Sequence, residues 1–387
     1  MRVSCFVRPD GSVGVRNHVA VIPTVLCANE IARRMVGQTP GAVVLPHVGG
    51  CTCTADVRRL ERVLSALGAH PNVAGVLLVA LGCETCECQA VAEEIARRAP
   101  WKPLEQIMIQ QTGVSSSICQ GSTIVEQMVR KAAAWERSET DAGALTLAME
   151  CGGSDATSGL AANPALGLAA DRIVGWGGSA LFSETTEAIG TEHILAQRAA
   201  GREVAQRIVD TIARARREMT ARLAPGEHFL TSGNMDGGLT TLEEKSLGCI
   251  CKTGSTPIVE VVEYGQQPAC RGLVFVDGTG FDVPSMTGMV AAGAQIVAFT
   301  TGKGSPVGYP IAPVIKVSAN PNTCKSMKEI VDVDASGVIR GEQDVKEVAE
   351  QILREVVAVA GGKRTKAEVF GFCDFAVSTI AGSSASV

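Results

Sequence analysis

The chain has 387 residues, too many for one ordinary domain and enough for two domains with substantial cores. Hydrophobic residues make up 46% of it and aromatic residues only 4%, with 42 glycines, which indicates a compact α/β protein and argues against disorder or a coiled coil. The formal net charge is -5, from 35 basic and 40 acidic residues without a long run of either sign, so we expect no nucleic-acid partner.

The sequence contains no pattern typical of a membrane span or a secretory signal peptide. No apolar stretch reaches the ~18 to 20 residues needed to span a bilayer, and the N-terminus MRVSCFVRPDG has no apolar signal-peptide core. We therefore expect a soluble cytoplasmic protein with no membrane partner. The 14 cysteines then predict reduced thiols, because disulfide frameworks belong to small secreted domains. Five of them are expected to be buried as small hydrophobic groups: Cys5, Cys27, Cys270, Cys324 and Cys373.

Short apolar runs alternate with amphipathic patterns along the whole chain. The runs are VAVIPTV, GAVVLP and VAGVLLVAL in the first part and ALTLAME, LVFVDG and QIVAFTT in the second. Their alternation with helical patterns such as ADVRRLERVLSAL predicts parallel sheets covered on both faces. The predicted fold class is therefore α/β, with two Rossmann-like three-layer domains and mainly parallel sheets.

The polar stretch KAAAWERSETDAG, residues 131–143, indicates a helix end that runs into a loop, and it is the best candidate domain boundary. A cut near residue 142 gives domains 1–142 and 143–387. The second domain is predicted to contain a long charged helix over about residues 192–222. The small-residue tail AGSSASV, residues 381–387, is expected to be loosely ordered.

Three of the apolar runs lead to a cysteine, at Cys51, Cys83 and Cys151. Because ligands bind beyond the carboxyl ends of parallel strands, we expect these thiols to converge on one site. A helix start after a cysteine favours the thiolate, which binds metals or attacks electrophiles. Cys249 and His47 are further candidate ligands, and thiolate with imidazole suits iron, with zinc left open.

The stretch LGCETCEC, residues 81–88, places three thiols and two carboxylates in eight positions. A metal site, a redox switch and a cysteine-rich first turn of a helix are all compatible with it. If all three thiols bound one centre, that centre would be an iron–sulfur cluster and not a single ion.

Two glycine-rich segments that follow predicted strands are candidates for binding an acidic small molecule. ECGGSDATSG offers Ser154 and Asp155 in a turn with free backbone N–H groups, and FTTGKGSPVGYP offers Thr300 and Lys303, with Lys316 nearby. Neither segment matches a Walker or dinucleotide-binding pattern, so a nucleotide ligand and a nicotinamide oxidoreductase are both disfavoured.

A candidate base lies in SGNMDGGLTTLEEKSLGC, residues 232–249. Thr240 or Thr241 is expected to cap a helix that has two acids in its first turn. Capping does not explain Lys245, which lies close to a candidate metal ligand and could serve there as a general base. Asp155 is the alternative group for moving the proton.

Several long motifs in a fixed order resemble the altronate and galactarate dehydratase family, from about Phe6 to Gly361. The motifs are RPDGSVGVRN, HPNVAGVLLVALGCE, ECGGSDATSGLAANPALG, GGSALFSETTEAIGTEH, DGGLTTLEEKSLGC and VPSMTGMVAAGAQIVAFTTGKGSPVGYPIAPVIKVSAN. Domain 1–142 then resembles the second domain of the family, and domain 143–387 resembles its C-terminal domain.

The resemblance implies an iron-dependent lyase that removes water from a sugar acid, such as altronate or galactarate, and leaves a 2-keto-3-deoxy acid. Sulfolactate sulfo-lyase, in the same family, instead expels sulfite from (2R)-sulfolactate and leaves pyruvate, and it is the alternative. Both reactions are β-eliminations next to a 2-hydroxy acid. A third reading, from another class, is a non-catalytic iron–sulfur or redox-switch protein.

The hypothetical site combines these residues around iron, either as mononuclear Fe2+ or as an iron–sulfur cluster. The metal ligands would be Cys51, Cys83, Cys151, Cys249 and His47. The residues that bind the acidic substrate would be Arg16, Asn17, Ser154, Thr300, Lys303 and Lys316. The catalytic groups would be Lys245, Asp155 and Glu84, the last from the Cys-Glu pair that the chain shares with the family.

Single-chain members of the family carry a small N-terminal domain ahead of the motif that here begins near residue 1. In split members that domain is a separate subunit, so the chain is expected to be a large or beta subunit in a homodimer or hetero-oligomer. The small subunit would contribute a metal-binding histidine. Three departures from the family pattern bear on the substrate: His18 in place of an aromatic residue, the extra thiols Cys53, Cys86 and Cys88, and Asp-Gly-Thr-Gly at 277–280 in place of Asp-Thr-Pro-Gly.

Overall fold

A computed structural model of the protein describes residues 1–51, 53–221 and 230–379. Its strands form two parallel sheets and one small antiparallel sheet, with helices between the parallel strands. The predicted α/β class with mainly parallel sheets is therefore confirmed. Within the described ranges, no helix is long and apolar enough to cross a membrane. The tail at 381–387 lies outside the described residues.

The first parallel sheet has four strands. The elements up to residue 141 are β1 (Arg2–Val7), β2 (Val13–Gly14), β3 (His18–Pro23), α1 (Asn29–Val36), β4 (Ala42–Val44), α2 (Thr54–Ala69), β5 (Val73–Ala80), α3 (Cys88–Arg98), β6 (Leu104–Met108), α4 (Ile109–Thr112), α5 (Val114–Ala133) and β7 (Ser138–Asp141). The strand order is β4-β3-β5-β6. Strand β5, VAGVLLVA, is apolar and buried at every position, as expected for a strand covered on both faces.

The second parallel sheet has seven strands in the order β10-β11-β9-β8-β12-β13-β14. The elements from residue 146 onward are β8 (Thr146–Gly152), α6 (Asn163–Gly175), β9 (Ser179–Phe182), α7 (Glu192–Gln197), α8 (Arg202–Thr220), α9 (Ser232–Asp236), α10 (Leu242–Ile250), β10 (Ile258–Val262), β11 (Leu273–Val276), α11 (Asp282–Ala291), β12 (Ile296–Thr301), β13 (Val314–Ser318), α12 (Pro321–Ser326), β14 (Val333–Asp334), α13 (Ser336–Ile339), α14 (Val345–Ala360) and α15 (Lys366–Phe370).

The polar stretch at 131–143 is not simply a loop. It contains β7, which pairs antiparallel with β1 in the small sheet β2-β1-β7. The register places Arg2 opposite Asp141 and Cys5 opposite Ser138. The short polar run gives no apolar alternation, so its strand character comes from the backbone groups of β1, which need partners.

The long charged helix predicted over residues 192–222 is interrupted, and this part of the prediction was wrong. The chain forms α7 and α8 with a break between them, because the backbone at Arg198 and Ala200 pairs with Ile258. Arg198 also donates to Thr253 and Thr256, so the break is tied to the segment before β10.

All 14 cysteines are free thiols, as predicted. Of the five expected to be buried, only Cys5 is buried, and Cys324 is partly exposed. Cys27, Cys270 and Cys373 are exposed, which corrects the prediction for those three. Their positions lie in short turns and connecting segments, where the sequence pattern gives no burial signal.

The two parallel sheets share one hydrophobic cluster. It includes Ile22 and Leu78 from the first sheet and Val276 and Phe299 from the second. Helix α2 also packs against α11, which carries Met289 of the same cluster. Apolar packing therefore joins the first part of the chain to the second.

A largely buried ion pair joins residues near the two ends of the described chain. Arg16 Nε and Nη2 donate to Glu368 Oε1 and Oε2 at 2.6 and 2.7 Å. The other donors of Arg16 go to the carbonyl oxygens of Val15, Val359 and Lys363 at 2.8, 2.9 and 2.8 Å. All five N–H donors of the guanidinium are used within the fold.

Two charged residues lie within the second sheet, one on each side of Phe299 of β12. Glu150 on β8 and Lys316 on β13 are both paired with Phe299 in the strand register. Lys316 is buried, and its Nζ lies 3.6 Å from the centroid of the Phe299 ring. No hydrogen-bond partner for this Nζ is present among the described residues. Burial lowers the pKa of Lys316 to about 7, although carboxylates such as Asp282 act in the opposite direction.

We expect Arg16→Met to lower the free energy of unfolding by about 3 kcal/mol, because it leaves the Glu368 carboxylate without its cation. Urea unfolding would measure the difference. Arg33→Met is the matched control, since Arg33 forms only an exposed pair with Glu30 and should change stability by less than about 0.5 kcal/mol. Equal stability of the two variants would contradict the structural role of Arg16.

Lys316 predicts a pH dependence of stability. The folded protein releases the Lys316 proton near pH 7, whereas the unfolded chain holds it up to about pH 10.5, so in this window the unfolded state binds more protons. The stability of the wild type relative to Lys316→Met should therefore rise as the pH increases from 7 to 10.5. Melting temperatures of both proteins across this range test it, and a constant difference would show that Lys316 does not titrate there.

Candidate functional site

The second sheet changes direction at β8. The next strand in the chain, β9, lies on one side of β8, and β12 lies on the other. In open parallel sheets, ligands bind beyond the carboxyl ends of the strands at such a point. Cys151 lies at this end of β8, and it is buried.

Four buried side chains form what we call the Cys/Glu cluster: Cys151, Glu184, Glu187 and Cys249. Their ligand atoms all lie within 4.8 Å of one another. Cys151 Sγ is 3.4 Å from Glu184 Oε1 and 3.8 Å from Glu187 Oε2. Across residues 1–51, 53–221 and 230–379, this is the one group of three or more such ligands that lie this close together.

The two carboxylates of the cluster come from the turn that follows β9. Glu184 has φ 62° and ψ 51°, and among the described residues it is the only one other than glycine with a positive φ. A left-handed backbone at a residue other than glycine costs about 1 kcal/mol or more, and such residues are often found at active sites and ligand-binding sites. Glu187 follows in a short 3-10 turn, Thr185–Ala188.

The thiol of Cys249 comes from α10, whose start is capped as the sequence predicted. Thr241 Oγ1 accepts from the backbone N–H of Glu244 at 3.1 Å. Lys245, one turn further along, forms an ion pair with Glu187, at 2.6 Å between Nζ and Oε1. Helix α10 therefore supplies one thiol and one cation to the cluster.

A second lysine reaches into the cluster. Lys252 Nζ lies 2.5 Å from Glu184 Oε2, 2.8 Å from Cys249 Sγ and 3.2 Å from Cys151 Sγ. Burial acts to lower the pKa of Lys252, but the two thiols and the carboxylate outweigh it and raise that pKa well above its usual value. Lys252 is therefore an ammonium group that compensates the negative charge of the ligands.

The cluster concentrates potential negative charge where water is excluded. Burial, followed by repulsion from Glu184, raises the pKa of Glu187. The hydrogen bond with Cys249, together with burial, raises the pKa of Cys151. A divalent cation would offset both effects, and two thiolates with two carboxylates suit a first-row transition ion such as iron or zinc. The donor set therefore fits a metal ion.

A cavity of about 450 Å³ borders the cluster at Glu187 and Lys245. Its walls come from several elements and are rich in hydroxyl and charged groups: Arg59, Thr186, Arg214, Glu218, Thr231, Asp277, Thr279, Ser378 and Thr379, with Ala215, Met219, Leu242, Gly278, Gly280 and Phe281. Hydroxyl and charged groups of this kind, set among apolar side chains, suit a small polar ligand.

Two glycines hold the cavity wall against the turn that carries the carboxylates. A Cβ at Gly278 would lie 2.1 Å from Ser183 Oγ, and one at Gly280 would lie 2.4 Å from Thr186 Oγ1. Only glycine allows so close an approach. The Asp-Gly-Thr-Gly sequence at 277–280 thus places the wall directly beside Glu184.

The structure does not bring the other predicted ligands into this cluster. Cys51 and Cys83 are exposed, in two turns of the first sheet that are joined through the Gly50 carbonyl oxygen. His47 is buried, and both of its ring nitrogens are used: Nε2 lies 2.7 Å from the Pro23 carbonyl oxygen, and Nδ1 accepts from a backbone N–H at 3.1 Å. Of the five predicted metal ligands, two, Cys151 and Cys249, belong to the Cys/Glu cluster, and the other three lie outside it.

The stretch LGCETCEC closes a turn of the first sheet. The Glu84 carboxylate accepts from Thr24 Oγ1 at 2.6 Å and from the backbone N–H groups of residues 81 and 82. Cys86 is buried, and burial raises the pKa of its thiol to about 12, so it is protonated at neutral pH. Cys88 is the first residue of α3. A catalytic role for Glu84 stays a prediction.

Asp155 and Ser154 tie together the loops at the carboxyl edge of the second sheet. The Asp155 carboxylate accepts from the hydroxyls of Thr157 and Ser158 and from the Asn320 amide. The Ser154 carbonyl oxygen accepts from a side-chain amide at 3.1 Å. These bonds hold the loops in place, and a role for either residue in proton transfer or substrate binding stays a prediction.

The remaining predicted substrate-binding residues are dispersed. Arg16 and Asn17 are engaged within the fold, where the Asn17 amide donates to the Ala132 carbonyl oxygen at 2.6 Å. The Thr300 hydroxyl donates to a side-chain amide oxygen at 2.6 Å and is buried. Lys303 is exposed, with its Nζ 3.9 Å from a carboxylate oxygen of Asp236. Their contact with substrate is untested, as is that of the buried Lys316.

The sequence reading missed four residues that the structure places at the site: Arg59, Glu184, Glu187 and Lys252. The segment SALFSETTEAIG carried a usable signal, because two acids follow the short apolar run that forms β9. The spacing of Lys252 behind Cys249 and Cys251 gave a weaker signal. Arg59 lies on a helix of the first part of the chain, and nothing in its local sequence indicates that it lines the cavity.

Comparison with known proteins covers nearly all of the chain. A family model described as D-galactarate/altronate dehydratase, C-terminal, matches residues 142–382, and one described as D-galactarate dehydratase/altronate hydrolase, second domain, matches residues 5–133. The chain is 36% identical over 379 residues to the (2R)-sulfolactate sulfo-lyase subunit beta of Chromohalobacter salexigens, with 96% of each protein covered.

Two further relatives are longer than this chain. Identity is 33% over 387 residues to the altronate dehydratase of Bacillus subtilis, which covers 96% of this chain and 76% of that protein. It is 31% over 309 residues to the galactarate dehydratase (L-threo-forming) of Escherichia coli, which covers 78% of this chain and 59% of that protein. From the two family models and these relatives together, the chain belongs to the D-galactarate/altronate dehydratase family.

Proposed function

We propose that the protein is the large subunit of a metal-dependent lyase that eliminates water from a sugar acid, such as galactarate or altronate, and leaves a 2-keto-3-deoxy acid. The relatives are named as dehydratases and a sulfo-lyase, so the chain is a lyase of this family. The observation that carries the proposal is the Cys/Glu cluster, which lies beside a polar cavity at the direction change of the second sheet.

The four members of the Cys/Glu cluster, Cys151, Glu184, Glu187 and Cys249, would hold the ion, which we take to be iron. When bound, such an ion supplies a Lewis acid that polarises an oxygen of the substrate. Two thiols and two carboxylates suit a single ion, because a [4Fe–4S] cluster takes four cysteines. Lys252 would balance the charge of the thiolates from within the protein.

Residues of the chain itself would move the proton. An elimination removes the proton from C2 of the hydroxy acid and helps the group on C3 to leave. Lys245 borders both the cluster and the cavity, so it lies where a proton can pass to the leaving group. Its ion pair with Glu187 favours the ammonium form, which donates a proton and does not accept one. The base that acts at C2 would then be another group, for which Asp155 remains the candidate.

A second reaction, the release of sulfite from (2R)-sulfolactate, has its own support. The sulfo-lyase subunit beta matches 96% of this chain and is itself covered to 96%, whereas the altronate dehydratase is covered to 76%. The same match supports a separate small partner subunit, since that relative is named as one subunit of its enzyme. We propose that the active form is the complex of both subunits.

We expect Cys151→Ala to lose the bound metal and at least about 99% of the activity, because it removes a buried ligand of the proposed ion. Cys83→Ala is the matched control: its thiol is exposed and lies outside the cluster, so the metal and the activity should remain. Metal and acid-labile sulfide analysis of anaerobically purified protein measures both. Retention of iron in Cys151→Ala, or its loss in Cys83→Ala, would contradict the assignment.

The purified large subunit, loaded with iron and co-expressed with a small subunit where a neighbouring gene encodes one, should convert at least one of galactarate, altronate and (2R)-sulfolactate. Keto-acid and sulfite assays separate the two reactions, because only sulfolactate releases sulfite. Absence of turnover with all three acids, in a complex that contains its full complement of iron, would overturn the proposed function.

A further inference from the structure

The charged groups around the cavity are paired, with one exception. Arg214 Nη2 lies 2.5 Å from Asp277 Oδ2, and its Nε lies 3.5 Å from Glu218 Oε1. Lys245 is paired with Glu187 at 2.6 Å. These contacts pair three carboxylates with two cations and leave one net negative charge, before the last charged residue is considered.

That last residue is Arg59, which projects from α2 into the cavity. Its guanidinium lies over the Tyr264 ring, with Cζ 5.3 Å from the centroid. Among the residues that the structure describes, Arg59 forms no hydrogen bond and no ion pair, although the carboxylates of Asp277 and Asp56 act on its charge from a greater distance. The side chain is half-buried, and burial lowers its pKa, so water does not fully solvate the charge.

An unpaired guanidinium in a cavity favours an anion there. It presents parallel N–H donors that match the two oxygens of a carboxylate or sulfonate. The Tyr264 hydroxyl donates to the Pro284 carbonyl oxygen at 2.6 Å and accepts from the Ser378 backbone, so the ring that supports Arg59 is itself fixed. The Arg59 guanidinium thus lies against a fixed ring before any ligand binds, which reduces the conformational entropy lost on binding.

We propose that Arg59 binds a second anionic group of the substrate, so that the enzyme acts on dianionic hydroxy acids, with a carboxylate at one end and a carboxylate or sulfonate at the other. This inference rests on the proposed function, because it places the reacting end of the acid at the Cys/Glu cluster. Galactarate and sulfolactate are dianions of this kind, whereas altronate carries a single carboxylate. Arg59, in the first part of the chain, would then determine which class of substrate binds, and the Cys/Glu cluster, in the second part, would carry out the reaction.

The binding test uses Arg59→Gln and Arg59→Lys in the metal-loaded complex. Succinate serves as a dianionic probe that has no hydroxyl to eliminate, and butyrate as a monoanionic one. Isothermal titration should show succinate binding to Arg59→Gln about tenfold more weakly than to the wild type, with Arg59→Lys in between because it loses the paired donors. Butyrate binding should be the same in all three proteins.

Arg62→Gln is the matched control on the same helix. Arg62 is paired with Glu263 at 2.5 Å between Nη1 and Oε2 and does not line the cavity, so this variant should bind succinate like the wild type. Circular dichroism of all variants establishes that they are folded. Equal succinate affinity in the wild type and Arg59→Gln, or no succinate binding by the wild type, would overturn the inference.

Turnover gives an independent readout. With galactarate, Arg59→Gln should raise KM at least about tenfold and change kcat little, because the second carboxylate is remote from the reacting carbon atoms. With sulfolactate the sulfonate on C3 is itself the leaving group, so the same variant should also lower kcat. A wild type that converts altronate only would overturn the role of Arg59 and leave the lyase function intact. No conversion of any acid together with weakened succinate binding in Arg59→Gln would overturn the lyase function and retain the dianion site.

Discussion

The contacts of Lys252 with Cys151, Cys249 and Glu184 are the interaction on which the site depends. Two thiols and two carboxylates, taken out of water together, repel one another and lose hydration, and a cation must lie among them. Lys252 supplies such a cation from within the protein where strand β8, the turn after β9 and helix α10 meet.

The same arrangement explains the unusual backbone beside it. Glu184 is held in a left-handed conformation, and the turn that carries it is pressed against Gly278 and Gly280 of the cavity wall. The ligand turn and the cavity wall thus share one packed boundary. A change in the Asp-Gly-Thr-Gly segment would alter substrate contacts and ligand positions together, which suits a family in which related chains act on different acids.

The sequence predicted regular elements better than it predicted loops. The apolar run of β5 and the cap of α10 have local signals that packing reinforces, and both are present. Cys51 and Cys83 lie in turns beyond their strands, where strand periodicity no longer determines where a side chain points, and they remain at the surface. The cluster instead contains Glu184, which follows a short apolar run in the sequence but whose side-chain direction depends on a strained turn and on tertiary contacts. The family resemblance supplied the reaction class that the residues alone left open.

The shared hydrophobic cluster has a consequence for how substrate preference can change. Helix α2 carries Arg59 and packs on α11 through apolar side chains of that cluster, which include Val63 and Met289. A small change in side-chain volume at this contact would tilt α2 and move the guanidinium relative to the metal ligands, without altering any residue that touches the acid. If Arg59 binds the second anion as proposed, the length of an acceptable substrate would depend on close packing remote from the site, and mutations in the core would give access to new specificities.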